Sequence, residues 1–431
     1  MAHGTLRTVT LGCKVNQWET EWVRQALVGS GYRDALDGDA ADLCIVNTCT
    51  VTAEGDAKSR QVVRRLAREN PAARIVVMGC YATRAPDELR QLPGVTEVVT
   101  DKRELPDLLG RAGVSDVPEG ISSFGTRQRA YVKVQDGCLL RCSFCIIPHV
   151  RPQMTSRPLD EIDAEVQRLV ASGHREIVLT GIHLGHYGVD RNRGLTKSQW
   201  LRLSHLVERL ADRPGRFRVR LSSIEATEVT RELIAVLAAR PERVCPHLHV
   251  SMQSGSDAVL RRMRRRWGSQ RIIERCLLVR ESLDRPALTS DVIVGFPGET
   301  DADFEATCRV VEQVGFAKIH IFPFSPRRGT PAASLERQVP PEVKRQRAAH
   351  LAALGAKLRT RYLEQLVGRR LELLVEGRDE RDASLHAGTT CRYMPAVVPA
   401  DSVAIGELAS VVADRVEGGR MVTRAVRGQG V

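Results

Sequence analysis

Short apolar runs alternate with polar stretches of helical period at the start of the chain. Apolar runs lie at residues 8–12, 43–48 and 75–79, and amphipathic stretches at residues 19–28 and 57–68. This alternation is typical of βαβ units, in which buried parallel strands are connected by helices. We therefore expect residues 1–120 to form an open parallel α/β sheet.

From Ala130 the same alternation becomes longer and more regular. Six expected strands lie at residues 131–134, 176–180, 217–222, 247–252, 289–295 and 318–324. Right-handed β/α units in such a series curve into an open or partial barrel. We expect residues 125–366 to form a partial (β/α)6 barrel that ends in a long basic helix at residues 341–366. Residues 101–125, which contain two prolines and several glycines, are expected to be a linker.

Beyond Gly368 the apolar period changes from helical to two, as at residues 370–377, and no further helix is expected. Period two with frequent turn residues is typical of strands that are half exposed. We therefore expect residues 367–431 to form a small antiparallel β-barrel, a common nucleic-acid-binding module.

The charge of the chain is concentrated in its middle. Residues 121–367 carry 40 basic and 26 acidic side chains, a net charge of +14, whereas the whole chain has a formal charge of +12. A polyanion such as RNA would be attracted chiefly to this middle part. An arginine-rich solvated surface is the alternative, and the zero net charge of residues 368–431 removes one argument for RNA binding.

The compartment expected from the sequence is the cytoplasm. No apolar run is long enough to span a bilayer, and residues 1–10 lack the apolar stretch of a signal peptide. Eleven cysteines in a reducing compartment favour metal binding over disulfides.

Three of those cysteines form a C-x3-C-x2-C array, Cys138, Cys142 and Cys145, directly after the first expected barrel strand. Three thiolates can hold three irons of a [4Fe-4S] cluster and leave the fourth iron open to a ligand that is not protein. A zinc site is the alternative, but it would need a fourth ligand. His149 is the nearby candidate, and its spacing fits no zinc pattern.

Three further cysteines, Cys13, Cys49 and Cys80, each follow one of the N-terminal strands. Because the carboxyl ends of parallel strands meet at one edge of a sheet, these thiols are expected to converge there. The alternatives are a second three-thiolate cluster site and three unrelated core cysteines. Five other cysteines are expected to be plain buried core: Cys44, Cys245, Cys276, Cys308 and Cys391.

The expected ends of the barrel strands are rich in small and polar residues. Gly181, Glu225, Gln253 and Ser254 lie at three such ends, and residues 295–300 form a fourth. Each position alone is an ordinary turn before a helix cap. Their succession around one cluster loop favours a ligand cavity.

Several segments in a fixed order resemble the methylthiotransferases, a branch of the radical S-adenosylmethionine (SAM) enzymes. They are Leu-Gly-Cys-Lys-Val-Asn-Gln at 11–17, Asn-Thr-Cys at 47–49, Gly-Cys at 79–80, the central cysteine array, Gln-Ser-Gly-Ser-Asp at 253–257 and Gly-Phe-Pro-Gly-Glu-Thr at 295–300. The resemblance covers nearly the whole chain. It implies a radical-SAM barrel and, in the tail, the family's RNA-binding TRAM barrel.

The resemblance also implies the cofactors and their ligands. Two [4Fe-4S] clusters are expected, one on Cys138, Cys142 and Cys145 and an auxiliary one on Cys13, Cys49 and Cys80. SAM is expected at the open iron of the first cluster, in a cavity lined by Gly181, Glu225, Gln253 and Ser254. In the reaction that this implies, a radical derived from SAM removes a hydrogen from C2 of a modified adenine, and the auxiliary cluster supplies a methylated sulfur.

Within the family, the segments at 14–17, 49–54 and 58–60 are most similar to the bacterial branch that acts on N6-threonylcarbamoyladenosine beside the tRNA anticodon. The expected partners are then the tRNA anticodon stem-loop and an electron donor such as flavodoxin or ferredoxin. The alternatives are the isopentenyladenosine branch, the branch that modifies a ribosomal-protein aspartate, and a non-catalytic iron-sulfur RNA-binding protein. One departure bears on substrate choice, because Arg151 is followed by Pro152, Gln153 and Met154 where the family often has glycine.

Overall fold

The computed structural model describes residues 4–36, 38–125 and 127–426. The outermost residues of the first and last expected domains, 1–3 and 427–431, lie outside the described part. Among the described residues, no helix combines the length and the apolarity needed to cross a membrane.

The N-terminal part is a five-stranded parallel sheet with the strand order β2-β1-β3-β4-β5, as the sequence predicts. Helices cover it on both sides, so all six residues of β3 are buried. Its strands are β1 (Thr5–Thr10), β2 (Arg33–Asp34), β3 (Leu43–Thr48), β4 (Arg74–Gly79) and β5 (Val95–Val98), and its helices are α1 (Lys14–Gly29), α2 (Ala53–Glu69), α3 (Cys80–Arg84), α4 (Pro86–Arg90) and α5 (Leu105–Arg111).

Helix α5 corrects the expectation that residues 101–125 are a linker. Leu105, Leu108 and Leu109 of this helix are buried in the core of the N-terminal sheet. Pro106 occupies the first turn of α5, where proline lacks no hydrogen bond and its fixed φ suits a helix. The proline therefore lies in the first turn of a helix, where the sequence predicted irregular chain.

The central part is the expected partial (β/α)6 barrel. It consists of two four-stranded sheets, β7-β6-β8-β9 and β10-β11-β12-β13, and the short consecutive strands β9 and β10 together fill one position of the barrel. The six barrel positions are thus β6, β8, β9 with β10, β11, β12 and β13, and neighbouring strands within each sheet are parallel along this series. The strands are β6 (Arg129–Asp136), β7 (Thr155–Ser156), β8 (Glu176–Gly181), β9 (Arg218–Leu221), β10 (Ser223–Ile224), β11 (His247–Val250), β12 (Ala287–Val294) and β13 (Lys318–Pro323). The helices are α6 (Ile147–Val150), α7 (Leu159–Ala171), α8 (Leu203–Ala211), α9 (Arg231–Ala239), α10 (Asp257–Arg262), α11 (Ser269–Ser282), α12 (Asp301–Val314) and α13 (Pro341–Glu364).

The C-terminal part is a closed five-stranded barrel with the order β14-β15-β16-β18-β17. All neighbouring pairs are antiparallel except β16 and β18, which are parallel. Five strands cannot alternate in direction all the way around a closed ring, so one parallel pair is unavoidable. The strands are β14 (Arg370–Arg378), β15 (Leu385–Thr390), β16 (Pro395–Pro399), β17 (Leu408–Glu417) and β18 (Arg420–Ala425).

A buried charged cluster joins this closed barrel to the lower, amino-terminal end of the partial barrel. Glu176, at the start of β8, pairs with Arg218 at 2.6 Å and with Arg220 at 2.7 Å. Both guanidinium groups also donate to backbone carbonyls of the closed barrel, those of Glu372, Thr389, Thr390 and Cys391. Burial alone would raise the pKa of Glu176, but Arg220 and Arg218 lower it well below its usual range. The interface therefore depends on an ionised Glu176.

Candidate active site

The central cysteines lie in the loop that follows β6, at the carboxyl-terminal end of the partial barrel. Backbone hydrogen bonds fix this loop: Cys138 N–H donates to the Arg151 carbonyl at 3.3 Å, and Ser143 N–H donates to the Met263 carbonyl at 3.0 Å. Gly137 has a φ of 77°, and a Cβ there would lie 1.8 Å from the Gln153 carbonyl oxygen. The loop can therefore take this course only with glycine at position 137.

Two basic side chains contact the sulfurs of this triad. Arg265 Nη1 lies 3.3 Å from Cys142 Sγ, and His183 Nδ1 lies 3.6 Å from Cys138 Sγ. The other ring nitrogen of His183 is 3.1 Å from a Glu228 oxygen. Burial would lower the pKa of His183, but its contacts with Cys138 and Glu228 raise it to about 9. The imidazole is thus held as a cation beside sulfur, where it can stabilise thiolate charge.

His186 stacks on His183 with ring centroids 3.6 Å apart. Burial, and then repulsion from His183, lower the pKa of His186 to about 4. The pKa values of the two stacked rings are therefore shifted in opposite directions, and the ring with the raised pKa faces the central triad.

The second triad lies at the carboxyl-terminal edge of the N-terminal sheet. Strands β1, β3 and β4 are neighbours, so Cys13, Cys49 and Cys80 emerge side by side. A Cβ at Gly12 would lie 3.1 Å from Cys49 Sγ, which shows how closely the first two strand ends approach. Cys44, within β3, is fully buried, as expected for a core cysteine.

The donor sets of both triads fit iron-sulfur clusters better than single zinc ions. Within the described residues, neither triad has all three sulfurs within 4.8 Å of one another. Thiolates around one tetrahedral zinc lie about 3.8 Å apart, from a Zn–S distance of about 2.3 Å. Neither triad is thus arranged around a single zinc ion, whereas in a [4Fe-4S] cluster each of three thiolates would bind a different iron. The binding of iron by these six cysteines stays a prediction.

Burial affects the protonation of three of these thiols. It raises the pKa of Cys49 and Cys142, and it raises that of Cys145 to about 12. Only thiolates bind iron, so loading the sites would displace these protons.

One buried arginine contacts both triads. Arg151 Nε donates to Cys80 Sγ at 3.3 Å, and its backbone carbonyl accepts from Cys138 N–H. Its guanidinium also pairs with Asp136 at 2.7 Å and with Glu19 at 2.9 Å. The side chain is only 1% exposed. The two triads are therefore joined through one residue, whose side chain contacts Cys80 and whose backbone contacts Cys138.

In the sequence, Arg151 stands out only as the start of a departure from the family pattern. Its position six residues after Cys145 was the available signal, but burial between two cysteine sites is visible only in three dimensions. The departure itself lies against the cluster loop, because the Gln153 carbonyl faces Gly137. Pro152 thus helps to set the backbone on which the glycine packs.

Contacts between the N-terminal sheet and the barrel fix the two triads relative to each other. Trp18 of α1 is buried in the barrel core, and its indole N–H donates to Glu165 at 2.7 Å. From the other side, Arg327 donates to Thr50 at 2.6 Å and pairs with Asp56 at 2.7 Å. Sequence reasoning missed these contacts because each joins residues far apart in the chain, although Thr50 itself lies in the 49–54 segment that resembles the family.

The four residues expected around SAM occupy different environments. Glu225 binds Arg265, the same arginine that contacts Cys142, so its carboxylate lies close to the central triad. Gly181 ends β8, and Gln253 has a φ of 68° and hydrogen-bonds through its backbone to Asp291 and Ile293. Ser254 is fully buried, with its hydroxyl 3.3 Å from that of Thr307 on α12. The contacts of all four with SAM stay predictions.

The remaining cysteines largely follow expectation. Cys245, Cys276 and Cys391 are buried. Cys308 is partly exposed on α12, which corrects the expectation of full burial. It follows Thr307, which faces the core, so its own side chain lies toward the helix flank.

Two family models match the chain. The Radical SAM superfamily matches residues 132–311, and a family described as "Uncharacterized protein family UPF0004" matches residues 5–101. The first range covers most of the partial barrel and the central triad, and the second covers the N-terminal triad.

The chain is also similar to named relatives over most of its length. It is 40% identical to the threonylcarbamoyladenosine tRNA methylthiotransferase MtaB of Bacillus subtilis, over 93% of this chain and 92% of the relative. It is 39% identical to MtaB of Thermotoga maritima, over 86% of each chain. It is 38% identical to the tRNA-2-methylthio-N(6)-dimethylallyladenosine synthase of a Nocardioides species, over 89% of this chain and 80% of the relative.

Among solved structures, the radical SAM methyltransferase TsrM from Kitasatospora setae aligns with a TM-score of 0.55 at 15% identity, over 76% of this chain and 75% of that one. This likeness shows a shared fold. The two family models and the relatives' identity over most of the chain place it more narrowly. The chain belongs to the radical SAM methylthiotransferase family.

Proposed function

We propose that the protein transfers a methylthio group to C2 of N6-threonylcarbamoyladenosine beside the anticodon of tRNA. The single observation that carries the proposal is the pair of three-cysteine sites bridged by Arg151 in a chain of this family. Each site offers three thiolates and so leaves one iron of a [4Fe-4S] cluster open to an outside ligand. Two such sites fit a reaction that needs both a radical and a sulfur donor.

The ligand sets follow from this proposal. Cys138, Cys142 and Cys145 hold the cluster that binds SAM, and Cys13, Cys49 and Cys80 hold the auxiliary one. When bound, the central cluster and SAM supply radical chemistry that removes the C2 hydrogen, and the auxiliary cluster supplies methylated sulfur.

The chain's own residues position these groups and shield them. Arg265 donates to Cys142, and His183 contacts Cys138, so both side chains fix the orientation of sulfurs in the central triad. Arg151 holds the two ligand loops together. Glu225, bound to Arg265, is the best placed of the four residues proposed to line the SAM cavity, with Gly181, Gln253 and Ser254 completing the set.

The rest of the chain supports the RNA substrate. We assign residues 1–120 to the auxiliary-cluster domain, 125–366 to the radical-SAM core and 367–431 to a TRAM-like barrel. The positive charge of residues 121–367 attracts the anticodon stem-loop, and the target base must leave its stack to reach the site. The protein acts where tRNA is found, in the cytoplasm, with an electron donor such as flavodoxin or ferredoxin.

Mass spectrometry of tRNA nucleosides from a deletion strain and from the strain complemented with this chain tests the substrate. The 2-methylthio derivative of threonylcarbamoyladenosine should disappear on deletion and return on complementation. Its persistence in the deletion strain would contradict the proposal. Loss of the 2-methylthio derivative of dimethylallyladenosine instead would favour the substrate in the name of the Nocardioides relative. Unchanged tRNA with an unmodified ribosomal-protein aspartate would favour the branch that modifies that aspartate.

An anaerobic assay separates catalysis from simple RNA binding. The reconstituted protein with a chemical reductant should form 5′-deoxyadenosine from SAM. If no 5′-deoxyadenosine forms although iron is bound, the chain is a binding protein rather than an enzyme.

A further inference from the structure

A cavity of about 270 Å³ lies inside the partial barrel, close to the lower range of small-molecule pockets. Side chains from β6, β8, β9, β11, β12 and β13 line it. Lys14, the residue after Cys13, closes one side, and Tyr393 of the closed barrel closes another. Phe322 of β13 lines it while 50% exposed, so the cavity reaches the surface at the free edge of the barrel sheet.

The cations that line this cavity differ in whether they have partners. Arg220 binds Glu176, and Arg129 binds Glu376 at 2.7 Å. Among the described residues, Lys14 has no carboxylate within ion-pair distance, and its ammonium lies 6.0 Å from the centre of the Tyr131 ring. Lys14 is half-buried. The cavity therefore contains one cation that lacks an anion.

The lining also contains a neutral imidazole with one nitrogen that lacks a hydrogen-bond partner in the described part of the chain, and a carboxylate. His247 Nδ1 is buried and has no hydrogen-bond partner among the described residues. Burial, and then Arg220, lower the pKa of His247 well below its usual value, so the ring is neutral. Asp291 contributes a carboxylate 3.3 Å from His249. The cavity thus presents a cation, a carboxylate and a neutral imidazole to whatever enters.

We propose that this cavity binds the N6 substituent of the target adenosine and that Lys14 pairs with its carboxylate. This inference rests on the proposed function and adds the specificity site. A threonylcarbamoyl group ends in a carboxylate that matches Lys14, and it carries N–H and O–H donors that match Asp291 and His247. The group would be bound beside Cys13 and so would hold the adenine close to the N-terminal triad.

The same lining rejects a dimethylallyl substituent. An apolar group of that kind offers no partner to Lys14 or Asp291 and would leave both charges desolvated. A site built to bind polar groups discriminates strongly against analogues that lack them. Loss of one hydrogen bond to a charged group should weaken binding about 10- to 100-fold.

Binding of anticodon stem-loops to the cluster-loaded, full-length protein tests this inference. Three fluorescent stem-loops are compared at one salt concentration, with unmodified adenosine, with threonylcarbamoyladenosine, and with threonylcarbamoyladenosine whose carboxylate is a primary amide. The native protein should prefer the threonylcarbamoyl loop about 10- to 100-fold over the other two. Lys14→Met should remove this preference while leaving the Kd of the unmodified loop unchanged.

The matched control is Lys197→Met, which removes the same charge from an exposed turn outside the cavity. It should leave all three Kd values unchanged. Iron content reports whether Lys14→Met keeps the neighbouring cluster. If Lys14→Met loses iron, the variant Asp291→Asn is used instead, because Asp291 lies on β12 away from the cysteines. Asp291→Asn should weaken binding of the threonylcarbamoyl loop alone.

The outcomes separate this inference from the function on which it rests. If the native protein binds the threonylcarbamoyl and unmodified loops equally and makes no methylthio product from either, the proposed substrate is wrong. If it makes the product but Lys14→Met and Asp291→Asn both keep the preference, only the assignment of this cavity is wrong. Equal weakening of all three loops by Lys14→Met would place Lys14 on the RNA backbone and also overturn the assignment.

Discussion

At the scale of single residues, Arg151 is the group on which the arrangement of the two cysteine sites depends. It is buried, contacts Cys80, and is neutralised by Glu19 and Asp136. Glu19 comes from α1 and Asp136 from β6, so the guanidinium connects the N-terminal sheet to the barrel. Removing any one member of a buried group of paired charges strongly destabilises the fold, because it leaves the remaining charges buried and uncompensated.

Arg151→Met should therefore damage the N-terminal site more than the central one. It removes the closer of two donors to Cys80, leaving Lys102 Nζ at 4.0 Å. Glu19 and Asp136 keep Lys133 and Lys102 as their remaining cations. We expect a loss of stability of about 3–5 kcal/mol and release of auxiliary iron. Thermal denaturation and iron analysis of the anaerobic protein measure both.

Arg309→Met is the control, because Arg309 is 67% exposed and its ion pair with Glu305 spans 3.8 Å. Such a pair contributes less than about 1 kcal/mol. If Arg151→Met behaved like this control, Arg151 would not join the two sites.

The cysteines could be predicted from the sequence, but their neighbours could not. Cys138, Cys142 and Cys145 share one short array, and Cys13, Cys49 and Cys80 share a position after apolar runs. Arg265 and His183 reach the central triad from positions 123 and 45 residues away in the chain. Contacts over such separations depend on how the barrel closes, which local pattern does not encode.

At the scale of elements, the loop after β6 is built around a close backbone contact. Gly137 faces the carbonyl of Gln153, which belongs to the departure from the family pattern. The loop and residues 152–154 therefore fix each other's course.

Gly137→Ala should disrupt the central site. The new Cβ would lie 1.8 Å from the Gln153 oxygen, so the loop must move and carry Cys138 with it. We expect 5′-deoxyadenosine formation to fall at least about tenfold, since small displacements of catalytic groups have effects of this size. Single-turnover assays with SAM and a reductant measure it.

Gly173→Ala separates the close contact from backbone strain. Gly173 also has a positive φ, 100°, but no atom lies within 4 Å of its Cβ position. This variant should lose about 1–2 kcal/mol of stability and keep normal 5′-deoxyadenosine formation. Equal activity of the two variants would show that the loop tolerates a displaced Gln153.

The positions of most helices and strands could be predicted because the spacing of apolar residues along the chain shows which face of each element is buried. The expected strand at residues 43–48 coincides with β3, and the amphipathic stretch at residues 57–68 lies within α2. The prediction of a linker at residues 101–125 was wrong because Pro106 lies in the first turn of α5. A proline is favourable in the first turn of a helix but breaks a helix when it lies in the middle. The parallel pair β16 and β18 follows from barrel closure and not from any residue.

At the scale of the whole molecule, the buried cluster around Glu176 holds the closed barrel against the lower end of the partial barrel. Arg218 and Arg220 read in the sequence as ordinary alternating strand residues, yet both are nearly fully buried. Their partners lie on the backbone of a different part of the chain, which no local pattern could reveal. The resemblance to a family predicted the three parts but not how they dock.

Glu176→Gln should weaken this junction. It leaves Arg218 and Arg220 buried without a full counter-charge, and we expect a loss of about 3–5 kcal/mol at neutral pH. Differential scanning calorimetry at several pH values measures it.

The stability that Glu176 contributes should depend on pH. The pKa of Glu176 is lowered in the folded protein, so its contribution is complete above the unfolded pKa of about 4.3 and is lost as pH falls below it. The gap in Tm between native protein and Glu176→Gln should therefore narrow below about pH 4. A gap that stays constant down to pH 3 would mean that ionised Glu176 does not hold the junction.

The central claim is that two cysteine triads hold two clusters with separate tasks. The most direct measurement compares the native protein with the triple variant Cys13→Ala, Cys49→Ala, Cys80→Ala, assaying iron, 5′-deoxyadenosine and methylthiolated nucleoside in one anaerobic reaction. We predict about eight irons per native chain and about four in the variant, which still forms 5′-deoxyadenosine but no methylthiolated nucleoside. A variant that retains eight irons, or that still produces methylthiolated nucleoside, would contradict the account.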